Sequence, residues 1–359
     1  PQRPAAAPTS GANQPAPAAP ATQPAAPSEP QTASDGMDYS RLIRVWDISR
    51  EGKPDADPYA GPRAVGERML LTTSVPAANE IPLVASAGFT LLQTDSDHLS
   101  TNEVQPGRWD FGVLDSALRQ TRNAGLDWCL FPHFAFPPKW YSNSVTYTRI
   151  RCLEHYQPVE AFSPWDPKWP PFVARGYEVL AEHYGHSATQ AGRISGLYLG
   201  VHGDYGEAGL LMGARTSVPG QREEWQTRFG NLHNHLGWWC GDPLARAAFR
   251  QAMMRKYGDV EALNAAWKTR FRSENDIVYP VSPAVNGRRW WLDFVHWYLG
   301  SVGNAAEMVA RTARHAFPNT LLMLPAGFAD ENPRGGNDNS LIPKIAGRIG
   351  VDVRSTHGG

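Results

Sequence analysis

At 359 residues and 39.5 kDa, with 42% hydrophobic and 11% aromatic residues, the chain can bury one large core or two modest ones. Thirty-four Lys and Arg stand against 35 Asp and Glu, a formal charge of −1 that lacks the basic surplus of a nucleic-acid or polyanion binder. The three cysteines, Cys129, Cys152 and Cys240, form no C-x-x-C pair, so the sequence implies neither a disulfide framework nor a structural zinc site, and no cofactor. No apolar run approaches the length of a membrane span.

Residues 1–36 are Ala, Pro, Gln, Ser and Thr with almost no large apolar side chain. Such a stretch cannot repay its ordering entropy by burial and reads as a disordered tether. A Pro/Ala tether ahead of a folded domain points to an extracytoplasmic setting. The chain starts at Pro1 without a basic-then-apolar leader, so the expectation is a removed leader or an incomplete N-terminus. Residues 37–359 read as one folded domain, with no second linker and no internal repeat.

In chain order, "RLIRVWDI" (41–48) is strand-like, "AANEIPLVASAG" (77–88) a helix ending at Gly, and "FTLLQTDSDHL" a strand emptying into acidic residues. "DFGVLDSALRQTRNAG" (110–125) has apolar residues at helical spacing, and "LDWCLFPHFAF" (126–136) is the next strand. "PPFVARGYEVLAEHYG" (170–185) opens on Pro and closes on Gly, as helices do, and precedes the strand "RISGLYLGVHG". Residues 209–240 are polar, aromatic and irregular, an insertion after the fourth strand. "DPLARAAFRQAMMRKYG" (242–258) carries an Asp cap and first-turn Pro; a short helix, a long amphipathic helix from Arg288, the strand "TLLMLPAG" and a last strand near 349–354 follow.

Strands alternating with crossover-sized helices imply a parallel sheet with helices outside it, class α/β. No G-x-G-x-x-G turn follows the first strand, which disfavours a dinucleotide fold. Strand ends rich in Asp, Glu, His and Trp suit a (β/α)8 TIM-type barrel, whose chemistry gathers at the C-terminal ends of the strands. About six strands are legible (42–48, 89–94, 127–133, 194–201, 320–325 and 349–354) where a barrel needs eight. Either two are hidden in loops or the chain stops before closure.

The stretch "GVHGDYGEAGLL" (200–211) carries the sharpest chemical signal. At a barrel strand end it would bring His202, Asp204 and Glu207 to the mouth. Cleaving a glycosidic bond needs a carboxylic acid at the leaving oxygen and a second carboxylate across the sugar. The plain alternative is a Gly-rich turn whose Asp caps the next segment. Asp95, Asp97 and His98 offer hydrogen bonds to sugar hydroxyls, or turn caps. His133 and Trp140 flank a rigid Pro pair. His233 and His235 lack a third ligand at metal spacing, so no metal is assigned, and the adjacent Trp238–Trp239 pair suits a sugar platform or a packed lid.

Three stretches in order resemble the catalytic barrel of glycoside hydrolase family 42, mostly β-galactosidases. They are the segment from "ASAGFTLLQTDSDHL" to "FPPKWY", the segment "FRQAMMRKYGDVEALNAAWKTRF", and the long helix before "TLLM", together spanning residues 84–325. The resemblance implies a retaining glycosidase with a carbohydrate substrate and a Glu after strand four as acid/base. Here the family's Asn-Glu-Tyr-Gly-like turn is replaced by "GDYGEAG", so the acid is Asp204, in register, or Glu207, favoured for its longer reach. The Gly-Glu order is also similar to the turn of β-amylases, which invert. The family's nucleophile ends strand seven, and is therefore expected beyond Gly359, leaving this chain inactive alone. A non-catalytic carbohydrate-binding barrel is the reading outside enzymes, and the oligomeric state is left open.

Overall fold

The computed structural model describes residues 72–74, 80–95, 102–185, 194–203, 206–210, 237–326 and 333–355, of which 72–74, 94–95 and 355 are described by backbone alone. The 1–36 tether, the 42–48 strand, Asp97, His98, Asp204, His233 and His235 lie outside the described residues.

Six parallel strands build one sheet: β1 (Thr72–Ser74), β2 (Leu91–Asp95), β3 (Asp127–Phe131), β4 (Gly196–Tyr198), β5 (Leu321–Ala326) and β6 (Asp352–Ser355). Their spatial order equals their chain order, and every neighbouring pair is parallel. A doubly wound sheet reverses direction at a switch point; a TIM-type barrel does not. The helices are α1 (Ile81–Ser86), α2 (Gly112–Asn123), α3 (Lys139–Ser144), α4 (Trp169–Tyr184), α5 (Pro243–Tyr257), α6 (Val260–Trp267), α7 (Pro283–Asn286), α8 (Arg288–Ala316) and α9 (Leu341–Ile349). Two antiparallel hairpins, Glu103–Gln105 with Arg108–Trp109 and Arg149–Arg151 with Pro158–Phe162, are excursions from the barrel.

Five of the six expected strands coincide with this sheet. The remaining one observed, β1, is a three-residue polar segment that alternation does not flag. It joins the sheet because Thr72–Ser74 pairs with Leu91–Gln93.

The sheet is curled. The Arg354 guanidinium of β6 donates to Gln93 Oε1 of β2 and lies 5.0 Å over the Tyr198 ring of β4. In a flat sheet β2 and β6 would stand about 19 Å apart, beyond the reach of those side chains. Period-two alternation then sorts the two faces. Leu91, Cys129, Tyr198 and Met323 cluster on the concave face, with Phe131 and Leu321 against them. Trp128, Leu130, Leu197, Leu322 and Leu324 face out and pack under α4, α8 and α9.

Local chemistry sets the helix ends. Asp242 caps α5, accepting from Leu244 N at 3.0 Å and Ala245 N at 2.9 Å, with Pro243 in the first turn. Asp259 caps α6 through Ala262 N at 2.7 Å. The 29-residue α8 serves two cores. Its large N-terminal aromatics, Trp290, Phe294, Trp297 and Tyr298, join an aromatic cluster with α5 and α6. Its smaller C-terminal residues, Ala305, Ala306, Ala310 and Ala313, let it lie close on the sheet. Asp293 of α8 pins α5 and α6 by accepting from Lys256 Nζ at 2.8 Å, Trp267 Nε1 at 2.8 Å and the Tyr257 hydroxyl.

Candidate active site

The C-terminal end of β4 carries the turn singled out above. Pairing extends past the strand through a parallel bridge between His133 and Gly200 and a bond from Leu199 N to Met323 O at 2.8 Å. The chain then folds back on itself. Val201 N donates to Gly206 O at 2.8 Å, Gly206 N to Gly203 O at 2.8 Å, and His202 N and Gly203 N donate to Glu207 O at 3.2 and 3.1 Å. Two glycines make this closure feasible. Gly206 has φ +76°, and a Cβ there would meet the Phe131 ring at 2.4 Å. A Cβ on Gly203 would come within 2.6 Å of Glu207 Oε2.

Glu207 therefore sits against the Gly203 backbone, at the end of β4, with 0% exposure. Taking a carboxyl group out of water is costly, and a residue serving only as a turn cap has no need of it. His133, bridged to Gly200 where β4 ends, is 3% exposed, stacked on Phe131 at 6.2 Å and edge-on to Phe136 at 5.4 Å. Asp95 ends β2 in register with Phe131. The ends of β2, β3 and β4 thus bring Asp95, His133 and the Glu207 turn to one rim.

Three other expected site residues have packing or hydrogen-bonding partners of their own. His202 does not line the mouth: it is 0% exposed, its Nε2–H donates to Phe162 O at 2.6 Å, and its ring meets Trp169 of α4 edge-on at 5.1 Å. Burial pushes its pKa down to about 4, against the pull of the Phe162 carbonyl, so the ring is neutral at pH 7. Trp238 is not an open platform. It is 6% exposed, ringed by Trp291, Phe294 and Tyr298 at 5.6, 4.7 and 5.0 Å, and its backbone N–H donates to the Glu154 carboxylate. Trp140 is half-buried and its indole N–H donates to Glu103 O at 3.0 Å, which ties α3 to the first hairpin. That hairpin is fixed again by the Arg175 fork on the Glu103 carboxylate, with NH2 to Oε2 at 2.6 Å.

The concave face also holds residues that the motif search passed over: Gln93, Phe131, Tyr198 and Arg354. Tyr198 meets Phe131 edge-on at 5.0 Å, so packing runs unbroken from Arg354 through Tyr198 and Phe131 to Gly206. Face alternation along β2, β3, β4 and β6 was the signal that could have found them. Among the described residues no three His, Cys, Asp or Glu side chains are grouped to hold a metal ion. Nor, among them, is any helix long and apolar enough to cross a membrane.

No family model matches the chain. It is 26% identical over 192 residues to β-galactosidase BgaA of a Thermus species, covering 52% of this chain and 25% of that protein. It is 29% identical over 105 residues to the β-amylase of Bacillus cereus, covering 28% of this chain and 19% of that one. The chain therefore spans about a quarter or less of the length of these curated relatives. The solved catalytic domain of the Paenibacillus polymyxa β-amylase superposes with a TM-score of 0.63 at 18% identity, over 79% of this chain and 75% of that chain. The likeness is one of fold, and it agrees with the strand order: the six described parallel strands, in chain order, are consistent with part of a barrel.

Proposed function

We propose that this protein is a glycoside hydrolase and that Glu207 is its general acid/base. The observation that carries this is the fully buried Glu207 carboxyl at the end of the fourth barrel strand, held against Gly203. A proton donor to a glycosidic oxygen belongs at that end of the barrel. Gly203 and Gly206 give the turn the backbone freedom to present the side chain when a sugar enters. Asp204 is the alternative acid in the same turn. The leading reaction is retaining hydrolysis of β-galactoside-type bonds, supported by the similarity to β-galactosidase BgaA. A second reading, inverting hydrolysis of an α-glucan, is favoured by the Gly206-Glu207 order and the similarity to β-amylase. An extracytoplasmic location, argued from the composition of residues 1–36, is part of the same proposal.

Proton NMR of the first-formed product tests it with the full-length protein. Incubation with an aryl β-galactoside should release β-galactose before mutarotation. Release of β-maltose from maltooligosaccharides selects the inverting reading instead. Absence of any sugar release across both substrate sets, with sugar binding intact, leaves a carbohydrate-binding barrel.

A further inference from the structure

Arg354 occupies an unusual position for a cation. It is half-buried on the concave face of the sheet, in register with Pro325 of β5, one residue before the end of β6. Its neighbours there are Gln93, Cys129, Tyr198 and Met323. The guanidinium spends one donor on the neutral Gln93 amide oxygen and covers its face with the Tyr198 ring. The shift of the Cys129 thiol, pushed up to about 12 by burial, is partly opposed by the nearby Arg354 charge. Asp352 shares its face two positions earlier on β6, yet among the described residues Arg354 forms no ion pair.

Taking a guanidinium partly out of water with no counter-ion among the described side chains is unfavourable. A bridge from β6 to Gln93 needs no charge, since a neutral amide would serve. What Arg adds is a fixed planar fork that matches a carboxylate or sulfate with two parallel hydrogen bonds. The position matters as well. Arg354 lies towards the C-terminal end of its strand, the end at which barrels take their ligands, and it joins the packed column that reaches Gly206 beside Glu207.

We infer that Arg354 is a specificity-determining residue that receives an anionic substituent, a carboxylate or a sulfate, on the sugar bound at the barrel mouth. This inference rests on the glycoside hydrolase reading and narrows it to acidic sugars.

The test compares full-length wild type with Arg354→Met and Arg354→Lys. Hydrolysis is measured on aryl β-galactoside, β-galacturonide and 6-sulfo-β-galactoside. Titration calorimetry with galactose, galacturonate and galactose 6-sulfate gives binding independently of turnover. The expected result is an acidic-over-neutral ratio of kcat/KM or affinity of about tenfold or more in wild type. That ratio should collapse in Arg354→Met and be partly kept in Arg354→Lys, which retains the charge without the fork. Preference for galacturonide assigns a carboxylate, and preference for the sulfo-sugar assigns a sulfate. Equal handling of acidic and neutral sugars by wild type, or an unchanged ratio in Arg354→Met, overturns the inference. If no glycoside is cleaved but acidic sugars bind selectively through Arg354, the hydrolase reading fails while the anion site stands.

Discussion

Replacing Gly206 by Ala tests whether the Glu207 turn is braced on the barrel interior. Two costs add at that position. The backbone sits at φ +76°, where a side chain costs about 1–2 kcal/mol. The new methyl would also stand 2.4 and 2.5 Å from Phe131 ring atoms, which overpacking studies place at about 1–3 kcal/mol. Gly258→Ala is the matched control, since Gly258 has φ +86° and nothing within 4 Å of the added Cβ. Urea unfolding of both variants in the full-length protein should show a loss of about 2–5 kcal/mol for Gly206→Ala and about 1–2 kcal/mol for Gly258→Ala. Hydrolysis should fall in the first variant only. Equal losses in the two variants would refute the argument, because they would mean that Phe131 yields and the turn is not held by it.

Asp293→Ala should cost about 1–3 kcal/mol in the same assay, because it leaves the buried Trp267 N–H without its acceptor, while the Lys256 ammonium is exposed enough to be solvated. Burial works to raise the Asp293 carboxyl, but the donors Lys256, Tyr257 and Trp267 outweigh it and hold the pKa below the ordinary value. Its contribution is therefore complete above about pH 4 and is lost as pH falls through the lowered value. A wild-type-minus-Asp293→Asn stability difference that grows on acidification would contradict this. His202 has the same sign with a higher window. Its pKa is depressed to about 4, so the unfolded chain binds the extra proton first. The neutral ring's contribution, up to about 3 kcal/mol, is present above pH 6.5 and lost as pH falls to about 4. Unfolding free energy measured from pH 4 to 7 should lose much of that slope in His202→Gln, and an unchanged slope would place the acid sensitivity elsewhere.

Features that depend on neighbours along the chain were legible. The Asp242-Pro243 start of α5 and the Gly258 stop at its end are local chemistry, and each stands where the residues indicate. What the sequence hides is non-local. The Thr72–Ser74 strand exists by pairing with β2, not by its own pattern. His202 falls on the side away from the mouth because the chain has left the strand by Val201, whose N–H turns back to Gly206, so strand parity no longer applies. Trp238 looks like any aromatic available for stacking until Trp291, Phe294 and Tyr298 close around it. Arg354 meets Gln93 across 261 positions of sequence, a contact that only the curl of the sheet creates.

The central claim is that Glu207 delivers the proton to the leaving oxygen, and leaving-group dependence tests it most directly. Glu207→Gln in the full-length protein should lower the first, bond-cleaving step by about 10²–10⁴-fold for alkyl glycosides, whose departure needs a proton. Dinitrophenyl glycosides, whose leaving group needs none, should be cleaved in that step at close to the wild-type rate. A loss of the same size for both kinds of leaving group, or a full loss transferred to Asp204→Asn with Glu207→Gln unaffected, would contradict the assignment.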